Sequence, residues 1–298
     1  MSTKAISSQP RWRIYLRLGR VSNLPTIWTN CLAGTVLAGA VPGVTTLFLT
    51  ALSISLMYVA GMFLNDAFDQ QFDCEFRPER PIPSGQIAAK TVFTIGFGLM
   101  FSGVALLVAS AALLCQIRLE AVFWAVALCG LIVYYDWHHK EDPMSPVIMG
   151  LCRVLVYFSA AAIAGTSLIR PVIAGGAVLL CYMIGLTYIA KQENLREIKN
   201  LWPILFLAAP FVYCADTLLK GDWRVLSYMA LLLWVLYSVR FLLRPRKNIP
   251  RAVVNLIAGI SLVDGLLIVS VSSVNAYGWA GLVGLMLTLF FQRYVAGT

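Results

Sequence analysis

The chain is a succession of long apolar stretches divided by short polar gaps, and that pattern restricts it to one solvent. The stretches fall at residues 24–41, 44–66, 91–114, 119–136, 147–168, 171–190, 201–219, 223–243, 252–273 and 277–292. A hydrocarbon core of about 30 Å is crossed by roughly 20 apolar residues in a helix. Backbone polar groups in lipid must be satisfied within the protein, so helices and closed barrels are the forms that span. Barrel strands alternate apolar and polar residues, and these stretches do not. The expectation is an all-α, polytopic membrane bundle. Stretch 201–219 holds Pro203, Pro210 and Asp216, and 277–292 is short, so nine or ten transmembrane helices are predicted. Only 12% of the residues are charged, about half the share of a soluble domain. That excludes a soluble enzyme and a disordered tail.

The net charge of +9 would suggest nucleic acid as partner in a soluble protein. In a membrane protein it reads as the positive-inside bias. With the N-terminus in the cytoplasm, 18 of the 23 Lys and Arg residues fall on cytoplasmic segments. Arg118, Arg170, Lys220 and Arg224 fall opposite, and Arg153 lies within a stretch. The segments 67–90, 137–146 and 191–200 then share the cytoplasmic face. Membrane lipids are the expected partner, with the Arg244–Arg251 cluster suited to anionic head groups, and no nucleic acid is expected. Residues 1–20 lack the apolar core of a signal peptide. They read as a basic interfacial segment, with a short amphipathic helix near Arg11–Leu18, ahead of a single transmembrane domain over 21–298. The seven cysteines form no CxxC pair, which argues against a disulfide framework or zinc site. Gly34 and Gly130 are among the glycines expected to permit close helix contact.

Five of the 14 carboxylates lie between Asp66 and Glu79, where an apolar helix ends and charge is costly. If the helix continues, Asp66 and Asp73 lie about 20° apart around its axis and Asp69 about 60° away, with Asn65 beside them. Like charges so placed repel. A divalent cation relieves the repulsion, and Mg²⁺ suits an open site of carboxylate and phosphate oxygens. Arg77, Arg80 and Lys90 follow at once, and arginine binds phosphate oxygens as a fork. Carboxylates for metal and arginines for phosphate describe a diphosphate clamp. The plainer alternative is a solvated helix end with surface ion pairs.

Asn65-Asp66-Ala67-Phe68-Asp69-Gln70-Gln71-Phe72-Asp73 resembles the NDxxDxxxD motif of the UbiA superfamily of intramembrane prenyltransferases. Arg80-Pro81-Ile82-Pro83-Ser84-Gly85 resembles the RPLPSG that follows it there. Arg20 to Asn30 resembles the entrance to that family's first helix. Tyr135 to Lys140, followed by Pro143 and Pro146, resembles its Tyr…Lys segment. The family places three residues between that Tyr and Lys, whereas four separate Tyr135 from Lys140 here. The family's second aspartate motif corresponds to Thr187–Asn200, which holds no aspartate. Glu193 and Glu197 stand there at i, i+4, beside Lys191 and Arg196. This departure resembles a divergent, EboC-like branch.

The resemblance implies a bundle around a cytoplasm-facing cavity. It also implies Mg²⁺-dependent transfer of a prenyl group from an isoprenyl diphosphate to a small aromatic or polyol acceptor. Asp66, Asp69 and Asp73 would hold metal, with Glu193 and Glu197 in place of the second motif. Lys140 and Glu193 would take catalytic roles beside the aspartates. Asn65, Arg77, Arg80, Arg153, Lys191 and Asn30 would bind substrate. The alternative is a non-catalytic scaffold of the same type that binds or transports an isoprenoid. A charge facing lipid at Arg153 would cost about 2.5–3.5 kcal/mol, so Arg153 is expected to face the cavity, on phosphate or on Asp136. Asp264 is expected to bond Asn255 or a hydroxyl in helix packing. His138 and His139 are expected to be interfacial anchors.

Overall fold

A computed structural model describes residues 10–41, 43–113, 118–140, 142–165, 169–192, 202–220, 222–243, 248–271, 275–295 and 297. Every regular element among them is helical. A short amphipathic helix, α1 (Arg11–Leu18), leads through a single 3₁₀ turn at Val21–Asn23 into α2 (Leu24–Leu37). Then come α3 (Val44–Phe68), α4 (Gln70–Phe76), α5 (Ala89–Leu113), α6 (Leu119–His138), α7 (Ser145–Ala164) and α8 (Arg170–Lys191). The chain continues through α9 (Ala209–Tyr213), α10 (Asp216–Lys220), α11 (Arg224–Leu243), α12 (Ile249–Val271) and α13 (Asn275–Gln292).

Among the described residues, seven helices are long and apolar enough to cross a membrane: α3, α5, α6, α7, α8, α11 and α12. The other three expected crossings differ. Stretch 24–41 forms only the 14 residues of α2, about 21 Å of helix. Stretch 277–292 forms the shorter apolar part of α13. Stretch 201–219 breaks into a 3₁₀ segment at Trp202–Ala208 and the five-residue helices α9 and α10. Proline explains one break. Pro210 has no N–H to donate and its ring excludes the preceding turn, so it sits in the first turn of α9 rather than inside a longer helix.

α12 is the axis of the bundle. Apolar residues run around its whole circumference, the pattern of a fully enclosed helix, and α2, α8, α11 and α13 pack against it. α3 pairs with α5, and α6 with α7. α5 instead turns Phe97 and Phe101 outward, as a lipid-facing helix would. Ile14 and Leu18 of α1 are buried with Phe63, Ala67, Ile82 and Val92. The apolar face of α1 therefore packs over the end of α3 that carries the aspartates.

α2 and α7 touch backbone to backbone. A Cβ on Gly34 would lie 2.6 Å from the Tyr157 carbonyl oxygen and 2.9 Å from its Cα, closer than real side chains come. The contact brings Asn30, one turn before Gly34, against Arg153, one turn before Tyr157.

Candidate active site

The helix carrying the acids pauses at Asp69, which ends α3 and precedes α4. The backbone bonds Asp69 N–H to Asn65 O and Asp73 N–H to Asp69 O carry the helical turn through the pause. Asp66 and Asp73 consequently keep a common direction. Arg80 Nη1 bridges them, at 3.2 Å from Asp66 Oδ1 and 2.9 Å from Asp73 Oδ2. Asp69 points aside, as its angular offset requires. Lys140 Nζ lies 2.8 Å from its Oδ2, and His139 Nε2 3.5 Å from its Oδ1. All three acids are buried.

The segment after α4 folds back to supply Arg80. Its turn closes through Ser84 N–H to Arg80 O and Gly85 N–H to Ile82 O. Gly85 adopts φ +74°, a conformation that glycine takes without the usual steric cost.

Arg20 completes the cluster. Its Nη2 lies 3.4 Å from Asp66 Oδ1, and its backbone is left-handed at φ 41°, ψ 45°. That conformation costs a non-glycine residue roughly 1–2 kcal/mol, and it turns the guanidinium from the end of α1 toward α3. Burial works against the charge of Asp69, but His139 and Lys140 outweigh it and hold its carboxyl below the usual range. Burial pushes Asp73 upward in spite of Arg80, and the neighbouring Asp69 and Asp66 add to the rise.

Carboxylate oxygens are the donors Mg²⁺ prefers, and it commonly takes only one or two carboxylates, completing its shell with water and phosphate. Asp66 and Asp73 fit that requirement. They reach one common nitrogen, and Asp73 Oδ1 is buried with no hydrogen-bond partner. Among the described residues, no three His, Cys, Asp or Glu side chains are arranged as a complete metal site. The cations occupy the carboxylates instead.

Beside the cluster is a cavity of about 250 Å³. Its wall is mainly apolar, including Ile27, Ile54, Leu128, Val156, Leu186 and Ile260, and is broken by Arg20, Tyr58, Tyr135, Asp136 and Arg153. Arg20 belongs to both the cavity and the carboxylate cluster. Asn65 Nδ2 donates to Asp136 Oδ1 at 3.1 Å, while Asp136 Oδ2 is buried without a partner.

Several expectations are relocated. Arg153 lines the cavity, but it bonds Thr26 and Asn30 rather than Asp136. Asn30 is fully buried and spends its amide on Arg153 and Asp264. Asp264 bonds the hydroxyls of Thr29 and Tyr157, the hydroxyl contact expected in helix packing, and also Asn30, because α2 and α7 bring these groups to its face of α12. Lys191 Nζ donates to the carbonyl of Asp142 at 2.9 Å. Arg77 caps α4, its N–H on the Asp73 carbonyl. Glu193 and Glu197 lie outside the described residues.

Sequence reasoning missed two members of the cluster. His139 is not an interfacial anchor. Its ring stacks on Tyr135 at 4.8 Å and reaches Asp69. The signal was present, since three residues separate Tyr135 from His139, the family's own spacing. Arg20 opened the stretch that resembles the family's first-helix entrance, but its place beside Asp66 depends on a backbone turn.

The UbiA prenyltransferase family model matches residues 26–296, and the chain belongs to that family. It is 28% identical over 153 residues to a 4-hydroxybenzoate octaprenyltransferase of Pectobacterium carotovorum, covering 47% of this chain and 48% of the relative. It is 27% identical over 189 residues to a digeranylgeranylglyceryl phosphate synthase of Methanopyrus kandleri, covering 63% of this chain and 64% of the relative. The chain thus spans about half to just under two thirds of the length of these curated relatives. Among solved structures, one concerning a digeranylgeranylglyceryl phosphate synthase matches 88% of this chain and 98% of that one, with TM-score 0.58 and 20% identity. A UbiA homolog from Archaeoglobus fulgidus bound to DMAPP and Mg²⁺ matches 94% of this chain and 99% of that one, with TM-score 0.50 and 15% identity. At these identities the likeness is one of fold.

Proposed function

We propose that this chain transfers a prenyl group from an isoprenyl diphosphate to a small acceptor within the membrane, in a Mg²⁺-dependent reaction. One observation carries the reading: a buried carboxylate cluster ringed by cations, joined through Arg20 to an apolar cavity. The domain extends over 21–298 in nine or ten crossings, behind a cytoplasmic interfacial segment at 1–20, and the cavity opens to the cytoplasm. The acids and bases pair with one another here, and a metal diphosphate brings both kinds of partner. Asp66, Asp69 and Asp73 would hold Mg²⁺, which when bound neutralises charge on the leaving diphosphate, an effect of several kcal/mol. Arg20, Arg80 and Lys140 would turn from carboxylate to phosphate oxygens, with Arg77 joining them on the phosphate. The apolar wall would take the prenyl chain and exclude water, which would otherwise capture an allylic cation. Glu193 and Glu197, near the cytoplasmic end of α8 in the sequence, are proposed to supply the opposing acids, with Lys191 beside them.

A scaffold that binds an isoprenoid without chemistry is the second reading. The lack of any aspartate in Thr187–Asn200, where the family's second motif falls, favours it. Purified protein in lipid nanodiscs, given Mg²⁺ and isoprenyl diphosphates of several lengths with aromatic and polyol acceptors, separates the two. Acceptor-dependent release of diphosphate, abolished by EDTA, is the expected result. Tight binding with no release for any pair would establish the scaffold.

A further inference from the structure

Arg153 stands apart from the diphosphate cluster, on the cavity wall. It lies eight residues into α7 from Ser145, about 12 Å along the axis. Its guanidinium is buried among apolar wall residues and lies 5.7 Å from the Tyr58 ring centroid. Its described hydrogen bonds both run from Nη1, to Thr26 Oγ1 at 3.1 Å and Asn30 Oδ1 at 2.8 Å. Among the described residues, no carboxylate forms an ion pair with it. The counter-charge of the buried Asp264 reaches it through Asn30 rather than by direct contact, which leaves the rest of the guanidinium to offer an incoming anion.

The nearest acid in this network is one residue removed. Asn30 Nδ2 donates to both oxygens of Asp264, at 2.9 and 2.8 Å. The amide orientation is therefore fixed, because the reverse would set its oxygen against the carboxylate. Thr29 and Tyr157 hydroxyls hold the same carboxylate, each at 2.5 Å. Asp264 is thus locked by three residues, and through Asn30 it aims one edge of the Arg153 guanidinium. The remaining edge suits a planar or tetrahedral anion.

We infer that Arg153 binds a carboxylate or phosphate group on the molecule that enters the cavity, and that Asn30 and Asp264 are positioning residues that hold it for that purpose. The surrounding Ile27, Ile54, Val156 and Ile260 call for an apolar or aromatic body behind the anionic group. Naming this molecule the prenyl acceptor rests on the proposed function; the anion site itself does not.

The test uses the full-length protein in nanodiscs and two matched probe pairs, 4-hydroxybenzoate with 4-hydroxybenzamide and glycerol 1-phosphate with glycerol. In the wild type, at least one anion should bind ten-fold or more tightly than its neutral partner, and which pair discriminates identifies carboxylate or phosphate. Arg153→Met should bring that ratio to about one, and Arg153→Lys should restore part of it. Asp264→Asn should lower the ratio at least three-fold with Arg153 intact, which a purely structural role would not do selectively. Discrimination by the wild type in neither pair, or equal losses for anion and neutral probe in Arg153→Met, would overturn the inference. Mg²⁺-dependent geranyl diphosphate binding is measured in parallel on the wild type. Its absence with anion discrimination intact would remove the prenyl-transfer reading and leave this site standing.

Discussion

At the scale of single residues, several side chains of the cluster serve two partners. Arg80 is the sharpest case. It holds Asp66 and Asp73 together, and Asp73 is almost wholly enclosed. Arg80→Ala would leave two close carboxylates facing each other, and losing one member of a buried pair costs about 3–5 kcal/mol. We expect a lowered melting temperature without metal and a partial return when Mg²⁺ is added, measured by thermal unfolding in nanodiscs. No response to Mg²⁺ would argue that these acids do not hold metal. Arg20 offers the opposite balance. Arg20→Gly removes a left-handed backbone cost of roughly 1–2 kcal/mol along with one of the two cations on Asp66. Stability should hold within about 1 kcal/mol, while Mg²⁺-dependent geranyl diphosphate affinity falls several-fold. The NDxxDxxxD and RPxPSG residues were legible because both partners lie within one short stretch of chain. Arg20, His139 and the Asp264 network were not, because their partners are set by turns and helix contacts that no local pattern encodes.

At the scale of elements, apolar length predicted the seven long helices well, and the prolines and short length of 201–219 and 277–292 already marked these two as weak crossings. Proline broke stretch 201–219, and α2 proved shorter than its apolar run. Glycines show the limit most clearly. Gly34 and Gly130 read alike in sequence, yet a Cβ at Gly34 meets the α7 backbone and one at Gly130 meets nothing within 4 Å. Gly34→Ala should therefore cost about 1–3 kcal/mol by overpacking. Gly130→Ala should stabilise by up to about 1 kcal/mol through helix propensity. Thermal unfolding of the two variants side by side checks this, and equal shifts would mean that the α2–α7 contact is looser than described. Gly34→Ala should also reduce any anion discrimination at Arg153, because that contact sets Asn30 against Arg153.

At the scale of the whole molecule, the proposal is that one end of the bundle gathers the reactive charge and faces the cytoplasm. Arg20, the turn 80–85, Lys140 and Lys191 all sit at one end, linked by the ion pairs on Asp66, Asp69 and Asp73 and by the Lys191 bond to the Asp142 carbonyl. The Lys and Arg bias of 18 to four, counted from the sequence, is what supports placing that end in the cytoplasm. The α2–α3 connection belongs to the opposite end, since α3 runs 25 residues from Val44 to Phe68, about 38 Å. Ser84 and Val41 are both exposed and report the two ends. Cys74 is exposed and Cys115 falls between two apolar stretches, so both must first be replaced by serine. In that background, a membrane-impermeant maleimide applied to intact cells should label Val41→Cys and spare Ser84→Cys until the membrane is opened. The reverse pattern would place the carboxylate cluster on the outer side. A cytoplasmic supply of isoprenyl diphosphate could not then reach it directly, and the proposed transfer would need a different source of donor.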